Sequence, residues 1–312
     1  MLRYAIERLL LVIPTVLGMV TLAFFMLRAL PGDPATAILG EFATQQAIDN
    51  LRQALRLDQP LLAQYLHFLA DTAVGDFGRS ALTRQPAATE VLSVLGPSLV
   101  LAFASIGVAI VIGIPVGVIS AIRQGTWIDY LLIILTITGI SFPVFWIGLI
   151  AIILFSHMIP LFPATGMGAP GDPWSQFVAL VMPALVLGTG AAAYIARLTR
   201  SSMLEVLGQD YILVARAMGI REGRILYVYA LRNALPAILS VIGVTFAVAI
   251  GNSILVEVVF ARPGLGSLII RATFSRDYQI LQVGLLVLSL TVVLVNFVID
   301  LLYPLIDPRL RK

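Results

Sequence analysis

Six stretches of this chain stay apolar for about 20 residues each, the length a helix needs to cross the ~30 Å hydrocarbon core of a bilayer. They are Leu9–Leu27, Ser98–Ile122, Tyr130–Phe155, Phe177–Ala196, Ala234–Val256 and Ile280–Ile299. Six such runs in 312 residues leave little chain for anything but a membrane-embedded bundle. The charge content agrees, since 12% of residues are charged, against roughly a quarter in a soluble domain that must cover its surface with polar groups. The expected fold class is an all-α membrane protein with six transmembrane helices. The first run reads as a retained span. It outlasts the roughly 7–15 apolar residues of a signal-peptide core, and no small-x-small cleavage site follows it.

Arginines in the connections orient the bundle. Arg3 and Arg8 precede the first span, Arg123 follows the second, and Arg197 and Arg200 follow the fourth. Arg309, Arg311 and Lys312 close the chain, whereas the connection after the third span has neither Lys nor Arg. An even number of spans puts both termini on one side, and the positive-inside rule makes that side the cytoplasm. The expected location is a bacterial inner membrane. Residues 31–96 then lie outside, where long translocated segments escape the charge rule. Leu51, Leu55, Leu62, Tyr65, Leu66 and Leu69 recur there at helical spacing, and "LDQP" and "GDFGRS" punctuate the segment with turn residues. The expected division is therefore 1–96, a first span plus a small helical extracytoplasmic segment, and 97–312, the remaining membrane domain.

Several chemistries are excluded by residue supply. The chain contains no cysteine, so it builds no disulfide, thiolate metal site or cysteine nucleophile. Its sole lysine is Lys312, and a phosphate-binding P-loop needs a lysine directly after its glycine-rich turn. ATP chemistry, if present, belongs to another polypeptide. His67 and His157 stand apart from any acid cluster, which is no pattern for a metal site. The spans hold no Ser/His/acid set and no carboxylate pair, so the chain reads as non-catalytic.

One stretch breaks the apolar pattern. "QDYILVARAMGIREGRILYVYALRNALP", residues 209–236, carries Arg216, Arg221, Arg224 and Arg232 between two long apolar runs. Asp210 is placed to cap a helix from Tyr211 to Met218. Gly219 supplies the break, because glycine alone takes left-handed backbone angles without steric cost. A second helix, Arg221 to Asn233, rises into the fifth span, with Pro236 near its first turn, where proline is tolerated. Ala215 and Ala217 keep the short helix slim beside Arg216. The shape suits insertion into a groove on a soluble partner.

The wording of this stretch resembles the coupling loop of ABC importer permeases. Ala215, Gly219 and the pair Leu235–Pro236 match that loop's pattern, while Leu213 stands where the loop's namesake glutamate is found, a departure usual in the peptide-importer branch. "LPGDPA" (30–35), "LRLDQPLLAQY" (55–65), "GDFGRS" (75–80), "TGISFPVFWIG" (138–148), "VEVVFARPGLGSLI" (256–269) and "RDYQILQ" (276–282) extend the resemblance over nearly the whole chain. It is similar to the first permease subunit of the dipeptide, oligopeptide, glutathione and nickel importers. The resemblance implies a type I importer permease fold, with residues 197–233 as the loop that meets an ATPase. It implies four kinds of partner: a homologous second permease, two ATP-binding subunits that hold ATP and Mg, an extracytoplasmic substrate-binding protein, and lipid. Asp210, Tyr211, Ala215, Arg216, Ala217, Gly219, Leu235 and Pro236 would then serve ATPase coupling.

Candidates for the pathway are fewer. Phe142, Pro143 and Phe145 fall inside the third run, and Glu257 is an acid beside the fifth. Ionisable groups at membrane depth are costly and usually functional, so Glu257 is a gate candidate, with a structural salt bridge to Arg262 as the plainer alternative. Pro14, Pro115, Pro143 and Pro183 each remove a backbone donor and bend helices. The leading function is a permease subunit importing di- or oligopeptides, with nickel or glutathione as alternative cargo. An ion-coupled secondary transporter would require titratable groups at the midplane and an internal repeat, and neither is visible.

Overall fold

The computed structural model describes residues 2–29, 34–39 and 43–306. Leu30–Asp33 of the "LPGDPA" motif and the closing Arg309, Arg311 and Lys312 lie outside the described residues. The described chain is helical in the order α1 Leu2–Ala29, α2 Pro34–Leu39, α3 Gln45–Ala54, α4 Leu61–Ala73, α5 Ala87–Ile122, α6 Trp127–Ser141 and α7 Val144–Ile152. There follow α8 Pro173–Leu207, α9 Asp210–Ala217, α10 Glu222–Arg224, α11 Arg232–Val259, α12 Leu265–Phe274 and α13 Tyr278–Ile306. Single π-helical segments extend α7 over Ile153–Met158 and join α10 to α11 over Ile225–Leu231.

Among the described residues four helices are long and apolar enough to cross a membrane: Ala87–Ile122, Pro173–Leu207, Glu222–Val259 and Tyr278–Ile299. Trp127–Ser141 and Val144–Met158 pass that test only as a pair, bent by 101°. The third apolar run is thus two helices bent at a break, where the sequence suggested one helix from Tyr130 to Phe155. Proline disfavours the α conformation in the residue before it, and Phe142 sits in extended backbone at φ −90°, ψ 137°. By contrast, α1 and α8 run on through Pro14 and Pro183.

The described chain divides into two compact units. One is built on Ser98–Arg262 together with the end of the last helix. Its centre is α8, which packs against α6, α7 and α11 and buries a run of small side chains, Ala191, Ala192, Ala193 and Ala196. Helix α5 approaches it closely. A Cβ built on Gly113 would lie 2.7 Å from Ala192 O, and one on Gly117 would lie 2.5 Å from Ala196 O. Without a hydrophobic driving force between helices in lipid, such small-xxx-small contacts are how backbones gain packing energy. An ion pair adds to this. Arg200 on α8 donates from Nε and Nη2 to the two oxygens of Asp129 on α6, both at 2.8 Å. Ser120 Oγ and Gly125 N also donate to that carboxylate, at 2.5 Å and 3.0 Å.

The other unit is built on Ile6–Pro97 and Pro263–Val293. The helical expectation for residues after the first span is met by α3 and α4, and Gly75 and Gly78 of "GDFGRS" have positive φ. Ser80 of that motif donates to Oδ2 of Asp277 at 2.5 Å, and Oδ1 of Asp277 accepts from Ile280 N at 3.2 Å, capping α13. Two motifs far apart in sequence therefore close on one carboxylate. Around them Ala87, Val91, Leu265, Ile269, Ala272, Ile280, Leu281 and Val283 form a buried apolar core.

The close approach of α5 to α8 generates a direct prediction. Gly117→Leu forces a side chain against the α8 backbone and should destabilise the bundle by about 1–3 kcal/mol, lowering its thermal unfolding midpoint in detergent. Gly107→Ala, whose Cβ meets nothing within 4 Å, should leave the midpoint where it is.

Candidate functional site

The charged stretch between α8 and α11 folds into a tight corner. Helix α9 begins one residue earlier than the sequence suggested. Gln209 holds the N-cap position without a side-chain bond, and Asp210 is the first helical residue. Asp210 therefore acts through its charge at the positive end of the helix dipole, and not as the capping acceptor. The far end is a Schellman closure. Gly219 has φ +76°, Gly219 N donates to Arg216 O at 2.9 Å, and Ile220 N reaches back to Ala215 O at 3.1 Å.

The corner has a core of its own. Ile212, Ala215 and Ile225 are buried together, with Leu207, Ile220 and Tyr229 packed around them. Ala215 faces this core, whereas Ala217 is exposed; the sequence reading had both alanines keeping the helix slim beside Arg216. Arg216 is also engaged within the corner, with Nε 2.7 Å from Oε1 of Glu222. Asn233 Nδ2 donates to Tyr211 OH at 3.2 Å and to Tyr229 O at 2.7 Å, tying α9 to the foot of α11. Beside the exposed Asp210 and Arg216, α9 leaves several apolar side chains outward. Tyr211, Leu213, Val214 and Met218 are exposed, Met218 at 75%, and a clustered apolar face on an otherwise satisfied helix marks an interaction surface.

Leu235 and Pro236 are half-buried. Pro236 is not in a first turn, because the helix is continuous from Glu222 to Val259. It removes the donor owed to the carbonyl four residues earlier, and the helix widens to π geometry over Ile225–Leu231 immediately upstream. The Asn233 side chain covers one of the carbonyls of that segment.

A second feature lies at the break between α6 and α7. Phe142, Pro143 and Phe145 line a cavity of about 560 Å3, with Tyr194 from α8 and Thr245, Val248 and Asn252 from α11 opposite. The Phe142 ring stacks on Trp146 with centroids 4.7 Å apart. No charged residue lines this cavity. Its polar groups are neutral, and they were overlooked in sequence, although Asn252 inside an apolar run was a readable signal. Glu257 does not line this cavity; it is 1% exposed and accepts from Ser98 Oγ at 2.6 Å. Burial pulls the Arg262 guanidinium below its ordinary pKa, and the Glu257 carboxylate nearby opposes that shift. Arg262 Nη1 donates to Ala179 O at 3.4 Å. Among the described residues no group of three or more His, Asp or Glu is placed to hold a metal ion.

With this geometry in view, the comparisons with known proteins are informative. Residues 113–312 match the family described as "Binding-protein-dependent transport system inner membrane component". Residues 1–89 match "Binding-prot-dependent transport system membrane comp, N-term". The dipeptide transport system permease protein DppB of Alkalihalophilus pseudofirmus is 39% identical over 332 residues, covering 100% of both chains. The glutathione transport system permease protein GsiC of Escherichia coli (strain K12) is 40% identical over 311 residues, covering 100% of this chain and 99% of that one. Among solved structures, a chain of the inward-facing MetNI methionine ABC transporter superposes with a TM-score of 0.59 at 21% identity, covering 70% of this chain and 96% of that chain. At that identity the likeness concerns the fold.

The packing of the corner separates two substitutions. Ile225→Ala empties its core at a cost of about 2–5 kcal/mol and should expose the backbone to trypsin at Arg221 and Arg224. Glu222→Ala removes an exposed ion pair worth about 0–1 kcal/mol and should leave the cleavage rate near that of the unaltered chain.

Proposed function

The chain belongs to the binding-protein-dependent transport system inner membrane components, and on that premise we propose that it is one permease of an ATP-driven importer for di- or oligopeptides. The proposed assembly has a homologous second permease, two ATP-binding subunits that hold ATP and Mg, and an extracytoplasmic substrate-binding protein. In this reading the chain crosses the cytoplasmic membrane six times with both termini inside. Residues 1–96 form a first span and an outer helical segment, and 97–312 form the transport domain. The full-length relatives named for dipeptide and glutathione transport support a cargo of short-peptide size. Glutathione fits as well as a dipeptide, since those relatives stand at 40% and 39% identity.

The observation that carries the coupling role is the corner at residues 209–236. Its inner face is satisfied by Ile212, Ala215 and Ile225, so the outward apolar face of α9 is free to enter a groove on an ATPase subunit. Through Tyr211–Asn233 the helix grips the foot of α11. Higher up, the same α11 contributes Thr245, Val248 and Asn252 to the cavity. When nucleotide draws the ATPase subunits together, displacement of α9 would carry α11 and reshape that cavity. ATP energy enters as differential contact between two arrangements, as any such coupling requires. This chain, whose sole lysine is Lys312, contributes no P-loop.

Gly219→Val tests the role directly. At φ +76° a β-branched side chain brings strain of about 1–3 kcal/mol, relieved by re-aiming α9. No neighbour lies within 4 Å of a Cβ there, so the effect is conformational and not a clash. In proteoliposomes holding the complete complex, ATP-dependent dipeptide uptake should fall by about five- to a hundredfold while the permease inserts at normal abundance. Unchanged uptake with the ATPase subunits still bound would refute the coupling role.

A further inference from the structure

The unit built on Ile6–Pro97 and Pro263–Val293 contains a second, chemically different cavity, of about 240 Å3. Its lining includes Arg28, Arg56, Gln64, Asp71, Asp76 and Gln279. Two of its charges compensate each other, since Arg56 Nη1 lies 3.0 Å from Asp71 Oδ2. Asp76 accepts a single backbone bond, from Gly78 N at 3.0 Å. The remaining cation is held rigidly. The Arg28 guanidinium carbon sits 3.6 Å above the Phe24 ring centroid, and its Nε donates to Gln64 Oε1 at 2.8 Å.

Within that fixed frame two buried atoms have no partner: the donor Arg28 Nη1 and the acceptor Gln279 Oε1. Buried polar atoms are rarely left unpaired, and an unpaired cationic donor is the costlier kind. Stacking on Phe24 and the bond to Gln64 hold the guanidinium in place beside the cavity. A ligand that satisfies both atoms must present an anionic acceptor to Arg28 and an N–H donor to Gln279. The room available equals about eight water molecules at ~30 Å3 each, below the roughly 300–1,000 Å3 of sites for drug-sized ligands.

We propose that this cavity binds a small zwitterion of amino-acid or dipeptide size, its carboxylate on Arg28 and its ammonium or amide N–H on Gln279. Balanced charge favours a zwitterion over a simple anion, because the Asp76 carboxylate on the same wall repels a bare negative charge and attracts an ammonium group. The site is distinct in chemistry from the uncharged cavity at Phe142, and it rests on residues of its own unit without drawing on the importer reading.

The test uses the complete complex in lipid nanodiscs, without the substrate-binding protein and without nucleotide. The probe is 13C-labelled alanyl-alanine, followed by ligand-detected NMR. Saturable binding is expected, weakened by at least about tenfold in Arg28→Gln and again in Gln279→Leu, since each variant deletes one charge-assisted or buried hydrogen bond. Alanyl-alanine amide and acetate should each compete at least tenfold more weakly than the dipeptide. Because Arg28 also packs on Phe24, Gln279→Leu decides the matter if Arg28→Gln fails to assemble. Absence of saturable binding, binding unchanged in Gln279→Leu, or acetate competing as well as the dipeptide would each overturn the proposal. ATP-driven uptake measured on the same wild-type preparation with the binding protein restored reports separately on the importer reading. Uptake without dipeptide binding at this cavity would sink the present inference alone.

Discussion

A backbone amide in hydrocarbon has no water to bond, so it must find its carbonyl within its own helix. In the unit built on Ser98–Arg262 the long helices obey this rule almost throughout. Two interruptions stand out. One is the extended Phe142 before Pro143, where the third apolar run turns through 101°. The other is the π-helical segment Ile225–Leu231 just before Pro236. Each costs hydrogen bonds that an uninterrupted helix would keep, and each borders a candidate functional feature. Phe142 and Pro143 line the uncharged cavity, and the π-helical segment closes the corner that holds α9. Helix α11 runs from the corner past the cavity, to which it contributes Thr245, Val248 and Asn252, so one element borders both departures.

Rigidity around that element comes from close packing more than from charge. Alanines on α8 and glycines on α5 let backbones meet at distances no larger side chain would permit. Packed interiors of this density move as blocks and do not bend continuously. Asp129, a buried carboxylate of this bundle, makes bidentate contact with Arg200 and takes two further donors from Ser120 and Gly125. Such a pair adds little net stability, because desolvation offsets attraction, yet breaking it leaves a buried charge. Its effect is to fix which face of α6 meets α8.

Much of this was legible in the residues, and the failures have physical causes. The apolar runs at 98–122, 177–196, 234–256 and 280–299 became helices because hydrophobic length alone specifies them. Gly219 was read as a left-handed break and has φ +76°, since no other residue type takes that geometry cheaply. Pro143 was seen, but a proline can kink a helix or end it. Helix α8 continues through Pro183, whereas α6 ends before Pro143, and the difference lies in tertiary packing that one sequence does not display. Arg216 was expected to face a partner, yet it meets Glu222 six residues on, a pairing created by the corner itself. Asp129 and Arg200 are 71 residues apart, and nothing local announces that they touch. Glu257 stood out as a buried acid, and its bond from Ser98, 159 residues away, has no local signal in the sequence.

The central claim is that α9 and the foot of α11 travel as one body while the rest of the bundle rearranges around them. The absence of native cysteine allows paired spin labels to be placed cleanly on the complete complex. One pair, Leu213→Cys with Tyr227→Cys, lies within the corner; the other, Leu213→Cys with Ile137→Cys, runs from the corner to α6. All three positions are exposed. Pulsed electron resonance in the nucleotide-free and ATP-trapped states should give an unchanged distance for the first pair and a shifted one for the second. A first-pair distance that changes with nucleotide, while the second stays fixed, would contradict the account.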